Sequence, residues 1–257
     1  MSTFIPTLVV LAQVINFPTG IYSLSDLCIQ NFYGRNANRI ITLANALKES
    51  YRRNLSLALD EKWSSWYSSW FDKHDKIKIN HFGSCSVKLE AKFLYSLEPL
   101  YKFNSEISYL RPKQRYWKRA IQELNLNGKN VVTVHRRWLE GECAGRAKRR
   151  EYFCKSPLDF SKSCFWTQSD ISELVRNLVR RKSLQQQQKI LLFTDQQNLE
   201  FDKTFRFQMK KQFQVEMCMM ALSSAHFGNP MSSIDYVVAH WREGMQFPLE
   251  CFAQIHN

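Results

Sequence analysis

The segment Val131–Glu142, with the sequence VVTVHRRWLEGE, constrains the fold more than any other stretch of the chain. Its first residues, Val131–Val134, are all β-branched, which is typical of a buried strand. His135, Arg136 and Arg137 follow directly. A buried strand that ends in cations places positive charge at the carboxyl edge of a sheet, where open α/β folds bind ligands. Guanidinium groups there suit a phosphate or pyrophosphate, because their planar forks donate paired hydrogen bonds to oxyanions. A strand that runs into a solvated basic loop would show the same pattern.

The regions before and after this segment each predict alternating strands and helices. A strand is predicted over Ile21–Ile29, and the helix after it has apolar residues at the spacing of one helical face, namely Ile40, Leu43, Ala44 and Leu47. Alternation over Leu55–Leu59 predicts a second strand, so this unit favours a parallel sheet. In the second half, the apolar run Lys189–Thr194 predicts a buried strand that Asp195 closes. Helices are predicted over Asp170–Lys182, Val215–Ser224 and Ser233–Arg242.

Three further stretches of the first half can be interpreted. One has a pattern of aromatic residues, one begins with a proline, and one lacks any regular spacing of apolar residues. Aromatic residues recur at helical spacing at Trp63, Trp66, Tyr67, Trp70 and Phe71. Such a pattern is typical of a helix that faces the core rather than of a ligand site. Residues 81–111 predict irregular structure. A helix is predicted from Pro112, which suits a first helical turn, to Leu124. The turn Asn125–Lys129 predicts a boundary between a domain over 1–127 and another over 128–257.

Composition leaves several classes of partner open. The chain has 257 residues and a net charge of +13, which attracts nucleic acid, anionic membranes and nucleotide sugars alike. No two of the seven cysteines form a CxxC pair, so a zinc site is not predicted. Cys28 and Cys218 lie in apolar segments and are predicted to be buried thiols. Three more cysteines lie in a polar stretch: Cys143, Cys154 and Cys164. They could form one disulfide if the compartment is oxidising.

The apolar segment Phe4–Phe17 is too short to span a bilayer and lacks the basic region of a signal peptide. It is predicted to be a buried segment or a degenerate anchor, so a stable transmembrane span is not expected.

Two further segments lie where a strand ends or a helix begins. Gly34–Arg39 precedes the first predicted helix, and Gly228–Ser233 precedes the last one. Ser232 and Ser233 would open that last helix, and a helix N-terminus with small hydroxyl residues suits an anion. Simple N-capping by serine has the same pattern.

Together these segments resemble the GT-B fucosyltransferases that use GDP-fucose, the superfamily that contains α-1,2-, α-1,6- and protein O-fucosyltransferases. Gly34–Asn38 resembles the G-R-x-x-N loop of the family, and His135–Glu140 resembles its H-x-R-R-G-D strand end. Phe193–Asp195 resembles its later S/T-D strand end, and Gly228–Ser233 resembles its G-N-x-x-S-S element. The order and rough spacing of the four agree along most of the chain.

The resemblance implies an α/β, GT-B-like fold of two Rossmann-like domains with GDP-fucose in the cleft between them. The domain over 1–127 would face the acceptor, and the domain over 128–257 would bind the nucleotide sugar. It implies an inverting transfer of fucose to a glycan or protein hydroxyl, with neither a metal nor a cofactor, because arginine neutralises the leaving diphosphate. Nucleic acid is then not an expected partner. The compartment would be the lumen of the endoplasmic reticulum or Golgi in a eukaryote, and the cytoplasm otherwise.

The resemblance also implies roles for single residues. Arg137 would hold the β-phosphate, and Glu140 would orient the arginine or act as general base. His135 would lie beside the donor, Asp195 near the nucleotide, and Ser232 and Ser233 against phosphate. The other members of the binding set would be Gly228, Asn229, Gly34 and Asn38.

The sequence departs from the family pattern directly after Arg137. Trp138 and Leu139 stand where the family has its second arginine and its glycine. Arg136 would supply the missing second charge as a catalytic residue, or else point to solvent. Two other functions therefore stay open: a non-catalytic binder of polyanions such as RNA or sulfated glycan, and a GT-B transferase for another nucleotide sugar.

Overall fold

The computed structural model describes residues 26–79, 85–96, 104–124, 131–136, 189–194, 206–207, 212–229 and 232–243, together with single residues or pairs between 142 and 177. These residues form two four-stranded sheets, and every pairing between their strands is parallel. The mixed α/β architecture with parallel sheets confirms the predicted fold class.

The first sheet has the order β3-β2-β1-β4. Its strands are β1 Asp26–Gln30, β2 Ser56–Ala58, β3 Ile77–Lys78 and β4 Cys85–Glu90. Five helices accompany it: α1 Asn36–Arg52, α2 Glu61–Trp70, α3 Ala91–Ser96, α4 Ser105–Tyr109 and α5 Gln114–Leu124. The predicted strand at 55–59 and the predicted helices after Gly34 and Pro112 are confirmed.

The second sheet has the order β7-β6-β5-β8. Its strands are β5 Val131–Arg136, β6 Lys189–Thr194, β7 Arg206–Phe207 and β8 Ala225–Phe227. Its helices are α6 Phe213–Leu222 and α7 Ser233–Glu243. The strand predicted over Lys189–Thr194 and both final helices are confirmed, because long apolar runs and helical periods are the strongest local signals.

The aromatic residues of α2 belong to the core, as their spacing predicts. Trp63, Tyr67 and Trp70 are almost fully buried. The Trp66 ring lies between those of Trp63 and Trp70, with ring centroids 5.5 and 6.1 Å apart. Asp60 starts the helix, because its Oδ1 accepts a hydrogen bond from the backbone N–H of Trp63 at 2.8 Å.

Helices join the two sheets into one hydrophobic core. Nε2 of His240 in α7 accepts a hydrogen bond from the backbone N–H of Asn104, which starts α4, at 3.0 Å. Nε1 of Trp241 donates to the carbonyl oxygens of Ile107 and Leu110 at 3.1 and 3.0 Å. The last turns of α7 therefore attach the second sheet to the helices of the first.

The prediction of irregular structure over 81–111 is wrong. This stretch contains β4, α3 and α4, all of them short. Strand β4 lies at one edge of its sheet, and its residues alternate between half-buried and exposed positions. An edge strand with a charged outer face lacks the apolar run that marks a central strand.

The prediction of a buried thiol at Cys28 is also wrong. Cys28 of β1 forms a disulfide with Cys85 of β4, and these two strands are neighbours in the first sheet. The same prediction is confirmed for Cys218, which is a free cysteine in the core. The group Cys143, Cys154 and Cys164 lies outside the described residues.

The predicted boundary at 127/128 falls on residues that the structure does not describe, so it stays a prediction. The segment Phe4–Phe17 lies outside the described residues as well. Among the helices that are described, none is long and apolar enough to cross a membrane.

Candidate functional site

The first two cations after the β-branched run, His135 and Arg136, belong to strand β5 itself. His135 and Arg136 continue the strand and pair with Phe193 and Thr194 of β6. Both are buried, with exposed fractions of 4% and 7%. The reading of Arg136 as a solvent-facing cation is therefore wrong. Arg137 and Glu140 lie outside the described residues, and so does Asp195.

Asp235, in the first turn of α7, connects the candidate residues of the second sheet. Its Oδ2 lies 2.7 Å from Nδ1 of His135 and accepts a hydrogen bond from the backbone N–H of Asn229 at 3.0 Å. Its Oδ1 lies 2.9 Å from Nε2 of His226, in β8. One fully buried carboxylate thus joins the end of β5, the end of β8 and the start of α7.

Gly228 makes room for this carboxylate. A Cβ at position 228 would lie 2.6 Å from Oδ1 and 2.7 Å from Cγ of Asp235, closer than real Cβ contacts. Any side chain there would displace Asp235. The close approach of Asp235 therefore explains why this chain needs glycine at the first position of the G-N-x-x-S-S segment.

Hydroxyl groups extend the network on the Nδ1 side of the His226 ring. Oγ1 of Thr133 lies 3.0 Å from Nδ1 of His226, and these residues are direct partners in the β5–β8 pairing. Thr133 also lies 2.7 Å from Oγ of Ser223, which follows α6. Each polar side chain here finds a partner, as buried polar groups require.

The charges of this network follow from burial and contact. Burial raises the pKa of Asp235, but the attraction of His135 and the hydrogen bonds from His135 and His226 outweigh it and lower that pKa to about 2. Burial lowers the pKa of His226, and its hydrogen bond to Asp235 only partly offsets this effect. At neutral pH, Asp235 is therefore a carboxylate and His226 is a neutral imidazole.

The start of α7 holds the two candidate serines. Ser232 is buried, its backbone N–H donates to the carbonyl oxygen of Asn229 at 2.9 Å, and Ser233 is the first helical residue. The structure thus brings five of the sequence-predicted residues of the second half together around Asp235 and the start of α7: His135, Gly228, Asn229, Ser232 and Ser233.

The candidate residues of the first half form a separate cluster, with Gly34 before α1 and Asn38 in its first turn. Gly34 has φ of +68°, and a Cβ there would lie 2.5 Å from Nδ2 of Asn38. Glycine is needed because L-residues with side chains rarely adopt this conformation and because Asn38 fills the space. Gly34 and Asn38, which lie in one motif, are therefore in contact.

Two indole groups of α2 hold this loop in place. Nε1 of Trp63 donates to the carbonyl oxygen of Asn31 at 2.7 Å, and Nε1 of Trp66 donates to Oδ1 of Asn36 at 3.0 Å. The guanidinium carbon of Arg39 lies 3.8 Å from the centroid of the Phe32 ring, a cation–π arrangement. An open groove of about 650 Å³ adjoins the loop, and its lining includes Phe32 and Trp66.

Three members of the network were not candidates from the sequence: Thr133, His226 and Asp235. The spacing Ser232-x-x-Asp235 is that of a capping box, which gives Asp235 a local role. Its side chain instead faces the strand ends. Within the described residues, no group of three or more His, Cys, Asp or Glu side chains is arranged to hold a metal ion.

Sequence comparisons do not place the chain in a family, since neither the scan of protein-family models nor the search of curated proteins found a match. Comparison with solved structures does find matches. A crystal structure of POFUT1 in complex with GDP matches with a TM-score of 0.60 and 13% identity, over 88% of this chain and 96% of that one. POFUT1 with GDP-fucose matches with a TM-score of 0.57, 13% identity and the same coverages of 88% and 96%. Apo POFUT1 matches with a TM-score of 0.55 and 12% identity, over 88% of this chain and 97% of that one. The chain therefore has the GT-B fold of these fucosyltransferase structures.

Proposed function

We propose that this chain is a glycosyltransferase that moves fucose from GDP-fucose to a hydroxyl of a glycan or protein, by an inverting and metal-independent mechanism. The fold supports the proposal, because the POFUT1 structures that share it include complexes with GDP and with GDP-fucose. Fold alone does not fix function, so the proposal depends on the site.

The observation that carries the proposal is the arrangement at the carboxyl edge of the second sheet. His135 and Arg136 end β5, and Asp235 ties His135 to the start of α7, where Ser232 and Ser233 lie. Arginine side chains at a strand end and the N-terminus of a helix both suit a diphosphate, since both provide donors and positive potential.

In the proposed mechanism, the diphosphate leaves as the glycosyl bond breaks through an oxocarbenium-like state. Arg137, supported by Arg136, neutralises the charge that develops on the leaving group, which is the main electrostatic need of such a reaction. Glu140 orients the arginine or removes the proton of the acceptor hydroxyl. Asp195 lies near the nucleotide in this proposal, and Gly34 and Asn38 line the acceptor side.

A thermal-shift panel with GDP, UDP, ADP and CMP tests the donor. We expect GDP alone to raise the melting temperature, because a ligand that binds only the folded state stabilises it by mass action. Equal stabilisation by UDP would favour a transferase for another nucleotide sugar. No stabilisation by any of the four would count against a nucleotide-sugar site.

Turnover of GDP-fucose by single variants tests the mechanism. We expect Arg137→Ala to abolish turnover, and Arg136→Ala to reduce it strongly. Arg119→Ala is the matched control, because the Arg119 side chain is 55% exposed and lies on α5. Full turnover by both Arg136→Ala and Arg137→Ala would refute the proposed charge neutralisation.

The net charge of +13 favours one second candidate, a non-catalytic binder of RNA or sulfated glycan. A salt titration separates the two functions. Polyanion binding weakens steeply as salt rises, because it depends on counterion release. A GDP complex held by a few buried contacts changes much less.

A further inference from the structure

Strand β4 ends in an exposed carboxylate, that of Glu90. Glu90 pairs in register with Gln30, the last residue of the parallel strand β1. Both residues therefore lie at the carboxyl edge of the first sheet, where open α/β folds bind their ligands. The loop with Gly34 starts at the same edge, because it follows β1 and precedes α1.

A hydrogen bond from Asn31 orients this carboxylate. Nδ2 of Asn31 donates to Oε2 of Glu90 at 2.7 Å. Asn31 is itself held in place, because its carbonyl oxygen accepts the hydrogen bond from Nε1 of Trp63. The second oxygen of Glu90, Oε1, has no hydrogen-bond partner among the described residues. Glu90 therefore presents one oriented acceptor atom that the described part of the protein does not use.

Further contacts hold Glu90 and the loop with Gly34 together. Gly34 follows Asn31 by three residues, so their Cα atoms lie at most roughly 11 Å apart. The ring of Tyr33, directly before Gly34, lies 5.3 Å from the ring of Tyr95, measured between centroids. Tyr95 belongs to α3, which begins directly after Glu90. A disulfide also links β1 to β4, so the strand ends that carry these groups are fixed relative to each other.

The proposed transfer needs a base, because the acceptor hydroxyl must lose its proton as its oxygen bonds to C1 of fucose. Asp235 does not suit this role, since it is fully buried and both of its oxygens face hydrogen-bond partners within the protein. Glu90 is exposed, is oriented through one oxygen and offers the other. A carboxylate held in this way is preorganised to accept a proton.

We propose that Glu90 is the general base that activates the acceptor hydroxyl, and that Asn31 is its positioning residue. The acceptor oxygen bonds to C1 of fucose while the bond from C1 to the diphosphate breaks, and the electron pair of that bond leaves with GDP. The proton of the hydroxyl passes to Oε1 of Glu90. This assignment rests on the proposed function, and it leaves the orientation of the arginine to Glu140.

Sodium azide distinguishes a base from a residue that only binds or positions the donor. Water must lose a proton when it attacks C1, whereas the azide anion has none to lose and needs no base. The basal reaction is the release of GDP from GDP-fucose in water. We expect Glu90→Ala to slow it about hundredfold, the lower end of what a general base contributes, with the affinity for GDP unchanged. Azide should then raise the rate of this variant at least about tenfold and give fucosyl azide of inverted configuration.

Glu123→Ala is the matched control, because Glu123 is another glutamate of the first half and lies on α5, 3.9 Å from Arg119. It should release GDP at the wild-type rate and show no response to azide. Wild-type turnover by Glu90→Ala would overturn the assignment. A loss that azide does not recover would also overturn it, since that result indicates a structural role. Recovery by azide in Glu140→Ala, and not in Glu90→Ala, would move the base to Glu140.

Two more variants separate the base from its support. Glu90→Gln keeps an oxygen that accepts from Asn31 but takes up no proton, so its loss of rate should match that of Glu90→Ala, and this variant serves if Glu90→Ala does not fold. Asn31→Gly removes the orienting amide, and glycine adopts the φ of +63° freely. We expect about tenfold slower GDP release, the effect of one charged hydrogen bond. An unchanged rate in Glu90→Gln contradicts the role of Glu90, and an unchanged rate in Asn31→Gly contradicts that of Asn31.

Failure of the base assignment and failure of the proposed function give different results. If the wild type releases no GDP from GDP-fucose, the proposed function is wrong and the base assignment falls with it. If the wild type releases GDP and Glu90→Ala does so equally fast, the base assignment alone is wrong.

Discussion

The carboxylate of Asp235 occupies the space beside Gly228 that a side chain would fill, since a Cβ at Gly228 would lie 2.6 Å from Oδ1 and 2.8 Å from Cβ of Asp235. This contact links a glycine of the sequence motif to a residue that the motif does not contain. It also explains how α7 can begin so close to the end of β8.

Gly228→Ala is expected to destabilise the protein by about 1–3 kcal/mol, because the displaced carboxylate loses buried hydrogen bonds to His135, His226 and the Asn229 backbone. Urea unfolding measures the free-energy change. The double variant Gly228→Ala/Asp235→Ala is the decisive control, because the added methyl group no longer meets a carboxylate. Its loss should be clearly smaller than the sum of the two single losses, and strict additivity would rule out the close approach as the cause.

His240 makes the stability of the protein depend on pH. Burial lowers its pKa from 6.5 to about 4, against a smaller raising effect from its hydrogen bond to the carbonyl oxygen of Tyr236. The unfolded chain therefore binds the proton more readily than the folded one. The stability is fully present above pH 6.5 and is lost as the pH falls towards 4. Burial lowers the pKa of His226 too, which acts in the same direction.

We expect the free energy of unfolding to fall by about 2 kcal/mol from His240 alone between pH 7 and pH 5. His240→Gln should show a shallower pH dependence over that range, since glutamine still accepts from the Asn104 N–H but does not titrate. His74→Gln is the control, because Nδ1 of His74 accepts only a local bond from the Lys76 N–H. Identical slopes for wild type and His240→Gln would contradict the assignment.

The sequence predicts those elements whose signal is local. Strand β5 is a run of β-branched residues, and α1 has four apolar residues on one face, so the sequence predicts both elements. It does not predict the start of α1, which begins at Asn36, inside the segment expected to precede the helix. Strand β8 is missed, because its three residues include His226 and it is stabilised by pairing with β5 rather than by its own composition. The same holds for β4, whose outer face is polar.

The candidate site likewise contains some residues that local motifs identify and others that no local pattern identifies. Gly34, His135, Gly228 and the serines of α7 lie in motifs, so the sequence identifies them. The bond between His135 and Asp235 joins residues 100 positions apart and exists only after β8 has placed α7 beside β5. No local pattern records such a contact, and Asp235 by itself resembles an ordinary acidic residue of a first helical turn.

The disulfide Cys28–Cys85 is expected to stabilise the first sheet, because it closes a loop with a sequence separation of 57 and so limits the unfolded chain. The chain-entropy relation gives about 4 kcal/mol for a loop of this length. Dithiothreitol should lower the melting temperature of the wild type and of the control Cys218→Ala, whose cysteine is free. The double variant Cys28→Ser/Cys85→Ser should melt at the lower temperature with or without reductant. A wild type that is insensitive to dithiothreitol, with both thiols found reduced by mass spectrometry, would contradict the pairing.

Arg242 closes the carboxyl end of α6 from within α7. Its Nη1 donates to the carbonyl oxygens of Met220, Ala221 and Ser223 at 3.0, 3.2 and 2.8 Å, and its side chain is buried. The last carbonyl groups of a helix have no partner within the helix, and a cation there also opposes the negative end of the helix dipole. Arg242 thus holds α6 and α7 together, next to the network of His226.

Arg242→Met keeps most of the apolar stem but leaves these buried carbonyl oxygens without their donor. We expect a loss of about 3 kcal/mol in the free energy of unfolding, since each orphaned buried acceptor costs on the order of 1–3 kcal/mol. The positive charge of Arg242 also contributes to the lowered pKa of His226, so the variant should raise that pKa, which a ¹⁵N NMR titration follows. Arg119→Met is the matched control on the surface of α5 and should change neither quantity. If Arg242→Met unfolds at the same urea concentration as Arg119→Met, the closure of α6 by Arg242 contributes nothing to stability, and the link between the two helices must come from packing alone.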